Sequence, residues 1–344
     1  MASRTEISTV GEFGLIRLLT DNISTGNSTT IRGIGDDAAV LEYTNSQILV
    51  TTDLLLEGIH FDLSYSPLKH IGYKAAIVNF SDIYAMNGHP KQITVSIGIS
   101  KRFCIEDLEE FYMGLKLACN VYGVDIIGGD TSTSLTGFSI SITCIGEADR
   151  NKIVYRHGAK ESDIICVSGD LGAAYMGLQL LEREKNIFEV GPKDFVADFS
   201  GKEYLLERQL KPEARKDVID LLEQAGIIPT AMIDISDGLS SELLHIAQAS
   251  GVGCRIYEDR IPIDYQTAAM AETFNMNLVT AALNGGEDYE LLFTVPLSFY
   301  DAIAAINAIH VIGYVTEAEQ GCFLVGRDGG EIPLVAQGWN TLET

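Results

Sequence analysis

The sequence predicts a mixed α/β (α+β) protein of two domains, and three observations carry that expectation. Short β-rich runs that alternate apolar and small polar residues are interleaved with helical patterns along the whole chain. At 344 residues and 46% hydrophobic content, the chain is long enough for two ordinary apolar cores. A polar stretch at 146–152 separates two such blocks and places the boundary between domains 1–148 and 149–344.

Residues 46–52, 92–99 and 138–145 read as strands, and the last two alternate at the strand period. A helix is expected over 69–86. A second, over 106–122, gathers Leu108, Phe111, Tyr112, Leu115, Ala118, Cys119 and Tyr122 on one face, and Gly123 is placed to stop it in a left-handed cap. The second block opens with a strand at 163–168. Its helices include 213–225, closed by Gly226, and 240–250, closed by Gly251. No short-period repeat or low-complexity tract interrupts the order.

Composition excludes several functions. Lys and Arg number 24 against 48 Asp and Glu, and a net charge of −24 repels a nucleic-acid backbone or an anionic lipid surface. No run of 18 apolar residues occurs and residues 1–10 lack an apolar signal core, so a cytoplasmic protein without a membrane partner is expected. Cys104, Cys119, Cys144, Cys166, Cys254 and Cys322 are scattered without a C-x-x-C pair, which fits core residues rather than a disulfide framework or a zinc site.

Aspartates then form a pattern. Five segments end an apolar run with aspartate beside glycine, serine or threonine: Gly33-Ile34-Gly35-Asp36-Asp37, Thr51-Thr52-Asp53, Asn79-Phe80-Ser81-Asp82, Gly128-Gly129-Asp130-Thr131 and Asp234-Ile235-Ser236-Asp237-Gly238. Each alone can be a turn. Asp82 is different, because on its helix it falls in line with Ile71, Ala75 and Val78, and a carboxylate on an apolar face needs a metal or a distant cation as partner. Asp234 ends a strand and Asp237 precedes a helix, where it can cap the helix, bind a metal, or do both.

Hard divalent ions take oxygen ligands, and magnesium at phosphoryl-transfer sites is held by a few carboxylates together with substrate phosphates. So many aspartates make sense if a strongly anionic ligand such as a nucleoside triphosphate shares the ions. The phosphate-loop and protein-kinase signatures are absent. Residues 33–38 fit G-x-G-x-x-[GA], but two aspartates occupy its interior and a strand-like stretch follows, so a dinucleotide site is not expected.

Taken in order, GEFGLI (11–16), GIGDDAAVL (33–41), TTD followed by EGIHFD, YKAAIVNFSDIYAMNGHP, IGGDTS, YRHGAK, SGDLGAA, IDISDGLSSEL, GGEDYEL and the late Gly338-Trp339 resemble the thiamine-monophosphate kinase family. That family belongs to the superfamily of aminoimidazole ribonucleotide synthetase. The resemblance spans nearly the whole chain. It implies an N-terminal α/β domain that forms a β-barrel with its counterpart in a homodimer, a C-terminal α/β domain, and active sites in clefts between the two. It also implies Mg2+-dependent transfer of the γ-phosphoryl group of ATP to thiamine monophosphate, the last step in making thiamine diphosphate. Carried over by position, the metal ligands are Asp37, Thr51, Thr52, Asp53, Asp82, Asp130, Asp234 and Asp237, with Asp53, Asp82 and Asp130 as the catalytic set. ATP contacts are Gly129, Asp130, Arg156 and Ser236, and acceptor contacts are His60, Glu287 and Trp339. The alternatives are another ATP-dependent member of the superfamily, or a silent relative that binds nucleotide and metal without turnover.

Overall fold

A computed structural model describes residues 5, 15, 18–32, 34, 40–44, 46–190 and 197–336. Two compact units divide the chain, one of residues 1–83 and 88–151 and one of 84–87 and 152–344.

In the first unit, alternation along Phe138–Ala148 decides the architecture. Phe138, Ile140, Ile142 and Cys144 are buried, while Ser139, Ser141 and Thr143 between them are half-buried on the other face. After two short paired strands, β1 (Thr30–Arg32) and β2 (Val40–Leu41), come β3 (Gln47–Leu56), β4 (His89–Ile99), β5 (Asp125–Thr133) and β6 (Phe138–Ala148). The last four form one sheet in the order β3-β6-β4-β5, antiparallel except for the β4–β5 pair. This sheet is open, with β3 and β5 at its edges, so one chain does not close the barrel that the resemblance implies. Strand β3 runs on to Leu56 and β4 starts already at His89, beyond their sequence-expected limits, because pairing with β6 continues there, with an irregularity between Pro90 and Gln92 of β4.

Helix α1 (Leu68–Ala85), apart from its last two residues, and α2 (Ile105–Tyr122) belong to the same unit. Their axes approach closely, since a Cβ on Gly72 would strike the carbonyl of Phe111 and one on Gly114 the carbonyl of Lys69. The expected stop is present: Gly123 has φ 69° and donates its N–H to Cys119 O.

The second unit contains a seven-stranded sheet in the order β13-β12-β9-β11-β7-β10-β8. Its strands are β7 (Ile164–Ser168), β8 (Ala231–Asp234), β9 (Gly253–Tyr257), β10 (Leu291–Val295), β11 (Ile309–Thr316), β12 (Cys322–Val325) and β13 (Glu331–Pro333). All neighbours are antiparallel except β9 and β12. Cys254 and Cys322 face each other across that parallel pair as free thiols, an adjacency the scattered spacing does not reveal. Helices α3 (Ala173–Val190), α4 (Glu203–Leu210), α5 (Lys216–Gln224), α6 (Leu239–Ser250), α7 (Tyr265–Thr273), α8 (Leu278–Asn284) and α9 (Tyr300–Ala304) complete it. Leu239, Leu243 and Ile246 of α6 pack with Ile233, Leu292 and Ile312 of the sheet, and Met176, Leu205 and Met270 form a second core among the helices. The helix expected from 213 begins only at Lys216, because Arg215 holds a non-helical conformation (ψ 53°) while its side chain reaches Glu290. Among the described residues no helix is long and apolar enough to cross a membrane.

Candidate active site

In the first unit, strand alternation points Thr51, Asp53 and Leu55 to the face that β6 lines with Ile140, Ile142 and Cys144. Thr51 Oγ1 donates to Asp82 Oδ2 on α1, so a strand hydroxyl is one partner of the helix-face carboxylate. Asp53 lies beside this pair. Its Oδ2 is buried and has no hydrogen-bond partner among the described residues. Burial first, and the nearby Asp82 charge second, push its carboxyl up to about 6. Three oxygen-bearing side chains, one with an orphaned buried oxygen, are the donor chemistry that suits magnesium.

Two further expected ligands lie on the other face of the sheet. Thr52 points to the opposite face, where its hydroxyl donates to Ile142 O at 3.0 Å and accepts from Thr143 Oγ1 at 3.1 Å. Asp130 is in register with Ser96, which is in register with Ser141 and, through it, Leu54, so it too lies on that opposite face. Three strand spacings, roughly 14 Å, separate the edge strands that carry Asp53 and Asp130. Gly129 has a backbone reason to be glycine, because a Cβ there would strike the Val95 carbonyl. Among the described residues no three His, Cys, Asp or Glu side chains gather around one point. His60 is exposed, and its Nδ1 accepts the Leu56 N–H at 3.0 Å, which leaves Nε2 free to donate outward. Asp37 and Trp339 lie outside the described residues.

In the second unit, β8 ends at the buried Asp234, and the chain turns through Ser236, the exposed Asp237 and Gly238 (φ 123°) into α6. Gly238, not Asp237, is the N-cap, and no side chain caps the helix there. Instead Asp237 donates its N–H to Glu242 Oε1 at 3.0 Å. Glu242 is a residue of this turn that the sequence reading missed. Burial first, and the charges of Asp237 and Asp234 with it, push Glu242 up to about 7, and its Oε2 is buried without a hydrogen-bond partner among the described residues. The signal was available, since Glu242 falls in line with the buried Leu239 and Ile246 of α6 as Asp82 does on α1.

Across from this turn, Gly286 (φ 70°), Glu287 (φ 62°) and Tyr289 (φ 51°) adopt left-handed conformations, two of them at a non-glycine cost of order 1–3 kcal/mol each. Backbone bonds hold the segment against the turn: Glu287 N–H donates to Ser236 O at 2.7 Å and Tyr289 N–H to Ile235 O at 2.9 Å. Tyr289 OH donates to Glu287 Oε1 at 3.1 Å. Arg156 is exposed and follows Tyr155, whose carbonyl accepts the Met232 N–H of β8 at 2.9 Å. Asp234, Ser236, Asp237, Glu287 and Arg156 thus share the β8 end of one sheet.

Comparison with known proteins decides the family. Residues 35–148 match the family described as AIR synthase related protein, N-terminal domain, and 161–322 its C-terminal domain. A thiamine-monophosphate kinase of Aquifex aeolicus is 37% identical over 318 residues, covering 92% of this chain and 95% of its own. The chain belongs to the thiamine-monophosphate kinase family. Its Bacillus subtilis member is 34% identical over 336 residues, covering 96% of this chain and 98% of its own. A solved structure described as AaThiL complexed with AMPPCP and TMP matches with a TM-score of 0.74 at 35% identity, over 96% of this chain and 97% of that one. The thiamine-monophosphate kinase structure from Stenotrophomonas maltophilia K279a matches with a TM-score of 0.77 at 30% identity, over 92% and 95%. The mixed α/β two-domain fold is the one this family shares with AIR synthase related proteins.

Proposed function

We propose that this member of the thiamine-monophosphate kinase family transfers the γ-phosphoryl group of ATP directly to thiamine monophosphate, giving thiamine diphosphate. The observation that carries this reading is the Thr51–Asp53–Asp82 arrangement, an all-oxygen donor set with one buried oxygen left open. The complex of the related AaThiL with AMPPCP and TMP supports the same pair of substrates. Two unit charges 4 Å apart repel by about 4 kcal/mol at an effective dielectric near 20, and each phosphate carries more than one. Magnesium, when bound, neutralises that charge and aligns donor and acceptor phosphates.

The chain's own groups hold the reactants. Thr51, Asp53 and Asp82 supply one metal-binding set, Asp234 and Asp237 a second, and Asp37 and Asp130 add further carboxylates. Gly129, Asp130, Ser236 and Arg156 contact ATP. His60 donates from Nε2 to the acceptor phosphate, Glu287 meets the aminopyrimidine edge, and Trp339 stacks on the ring. A phosphomonoester has its second pKa near about 6, so the attacking oxygen is already deprotonated at neutral pH and no side-chain base is needed.

The test is chromatographic: with ATP and magnesium, thiamine monophosphate is expected to yield thiamine diphosphate, whereas thiamine yields none. Nucleotide binding without turnover would instead mark a silent relative, and turnover only with a different acceptor another member of the superfamily.

The enzyme acts as a homodimer. Ile48 (51% exposed), Val50 (65%), Leu54 (55%) and Leu56 form an unpartnered apolar row along edge strand β3, on the sheet face that also carries Asp130. Val50→Asp is expected to shift light-scattering mass from dimer to monomer; an unchanged dimer would move the interface elsewhere.

A further inference from the structure

Burying guanidinium groups against carboxylates stabilises a fold little in net terms, because desolvation offsets most of the attraction. A network of this kind in the second unit is informative for what it holds in place. Arg208 on α4 donates from Nη1 to Glu290 Oε1 at 2.7 Å and from Nη2 to the carbonyls of Asp170 (2.9 Å) and Asp288 (3.4 Å), with the Asp288 carboxylate 3.6 Å away. Arg215 and Ser168 both donate to Glu290 Oε2. Asp288 accepts the Gly172 N–H at 2.9 Å, and Ser168 Oγ accepts the Leu291 N–H at 2.8 Å. Gly169 is glycine because a Cβ would collide with the Glu290 carboxylate. The SGDLGAA and GGEDYEL motifs, far apart in sequence, are therefore two jaws of one clamp.

What the clamp grips is the segment 286–289, in which Gly286, Glu287 and Tyr289 have positive φ. Asp288 and Glu290 flank its last residue, and the Glu290 carbonyl accepts the Ile235 N–H at 2.7 Å at the foot of the Ser236 turn. We propose that Arg208 is a positioning residue for the acceptor: through Asp288 and Glu290 it locks 286–289 in the conformation that sets Glu287 beside Ser236. This rests on reading Glu287 as the acceptor's carboxylate. The Ser236–Asp237 turn has an independent hold from α6 through Glu242, so loss of the clamp falls mainly on the acceptor rather than on ATP.

Arg208→Lys keeps the charge but not the fork that bridges Glu290 with two carbonyls. It is expected to raise the KM for thiamine monophosphate about tenfold or more while the KM for ATP stays within about threefold and Tm stays close to wild type. Arg208→Met combined with Glu290→Met keeps the volume and removes both charges, so it separates positioning from folding; a similar selective rise in acceptor KM is expected. An acceptor KM within about twofold of wild type in a folded variant overturns the proposal. So does a parallel rise in both KM values with a fallen Tm, or failure of both variants to fold, each of which assigns the network to structure alone. Wild-type enzyme that makes no thiamine diphosphate would reject the underlying reading instead.

Discussion

Asp53→Asn is expected to lower turnover by roughly a hundred- to a thousandfold, the scale on which one electrostatic contact to a transition state acts, while making the metal-free protein more stable at neutral pH. The stability gain follows from Asp53's surroundings: its carboxyl, raised from 3.8 to about 6, binds its proton more tightly in the folded than in the unfolded chain. Folding is therefore penalised as pH rises between about 4 and about 6, and above about 6 the penalty is complete, on the order of 3 kcal/mol. Thermal unfolding of wild type and variant without metal should show no gap near pH 4, a gap opening up to pH 6 and a constant gap beyond. Added Mg2+ should narrow it by stabilising the wild type. Near-normal turnover in the folded variant would refute the role of Asp53, and equal stabilities at pH 8 would place its carboxylate in a solvated setting.

Glu290→Met is expected to cost about 3–5 kcal/mol, because it strands Arg208 and reduces the neutralisation of Arg215 in a buried setting. Burial works against the charge on Arg208, and Glu290 and Asp288 overcome it, holding the guanidinium above its ordinary pKa. A loss of that size lowers Tm by about 10 °C in a unit of this length. Calorimetry is the check: a Tm within about 2 °C of wild type would mean that water reaches the arginines. The stability cost should shrink when Arg208→Met is added, since a buried charge pair removed whole is far less costly than one broken.

Much of this was legible in the sequence. Strand alternation in 138–145, the apolar face of 106–122 with its Gly123 stop, and the period that put Asp82 in line with Ile71, Ala75 and Val78 are local patterns, set by backbone geometry and by which face must leave water. The ordered motifs were specific enough to name the family. Pairing was not legible. That the Thr51 hydroxyl meets Asp82, that Asp130 and Thr52 face away from Asp53, and that Glu242 accepts the Asp237 N–H at the turn before α6 depend on register and on contacts between separate segments.

The sequence by itself determined the alternation of elements, the acidic oxygen-donor chemistry and the family, because those follow from local periodicity and residue type. Only the tertiary structure decided which carboxylates share a face and which are gripped by arginine. Nothing local in the sequence links Arg208 and Arg215 to Glu290, and only the fold brings them together across sequence separations of 82 and 75. The low dielectric of the interior strengthens such a contact and makes it costly to break, and that interior is a property of the packed molecule.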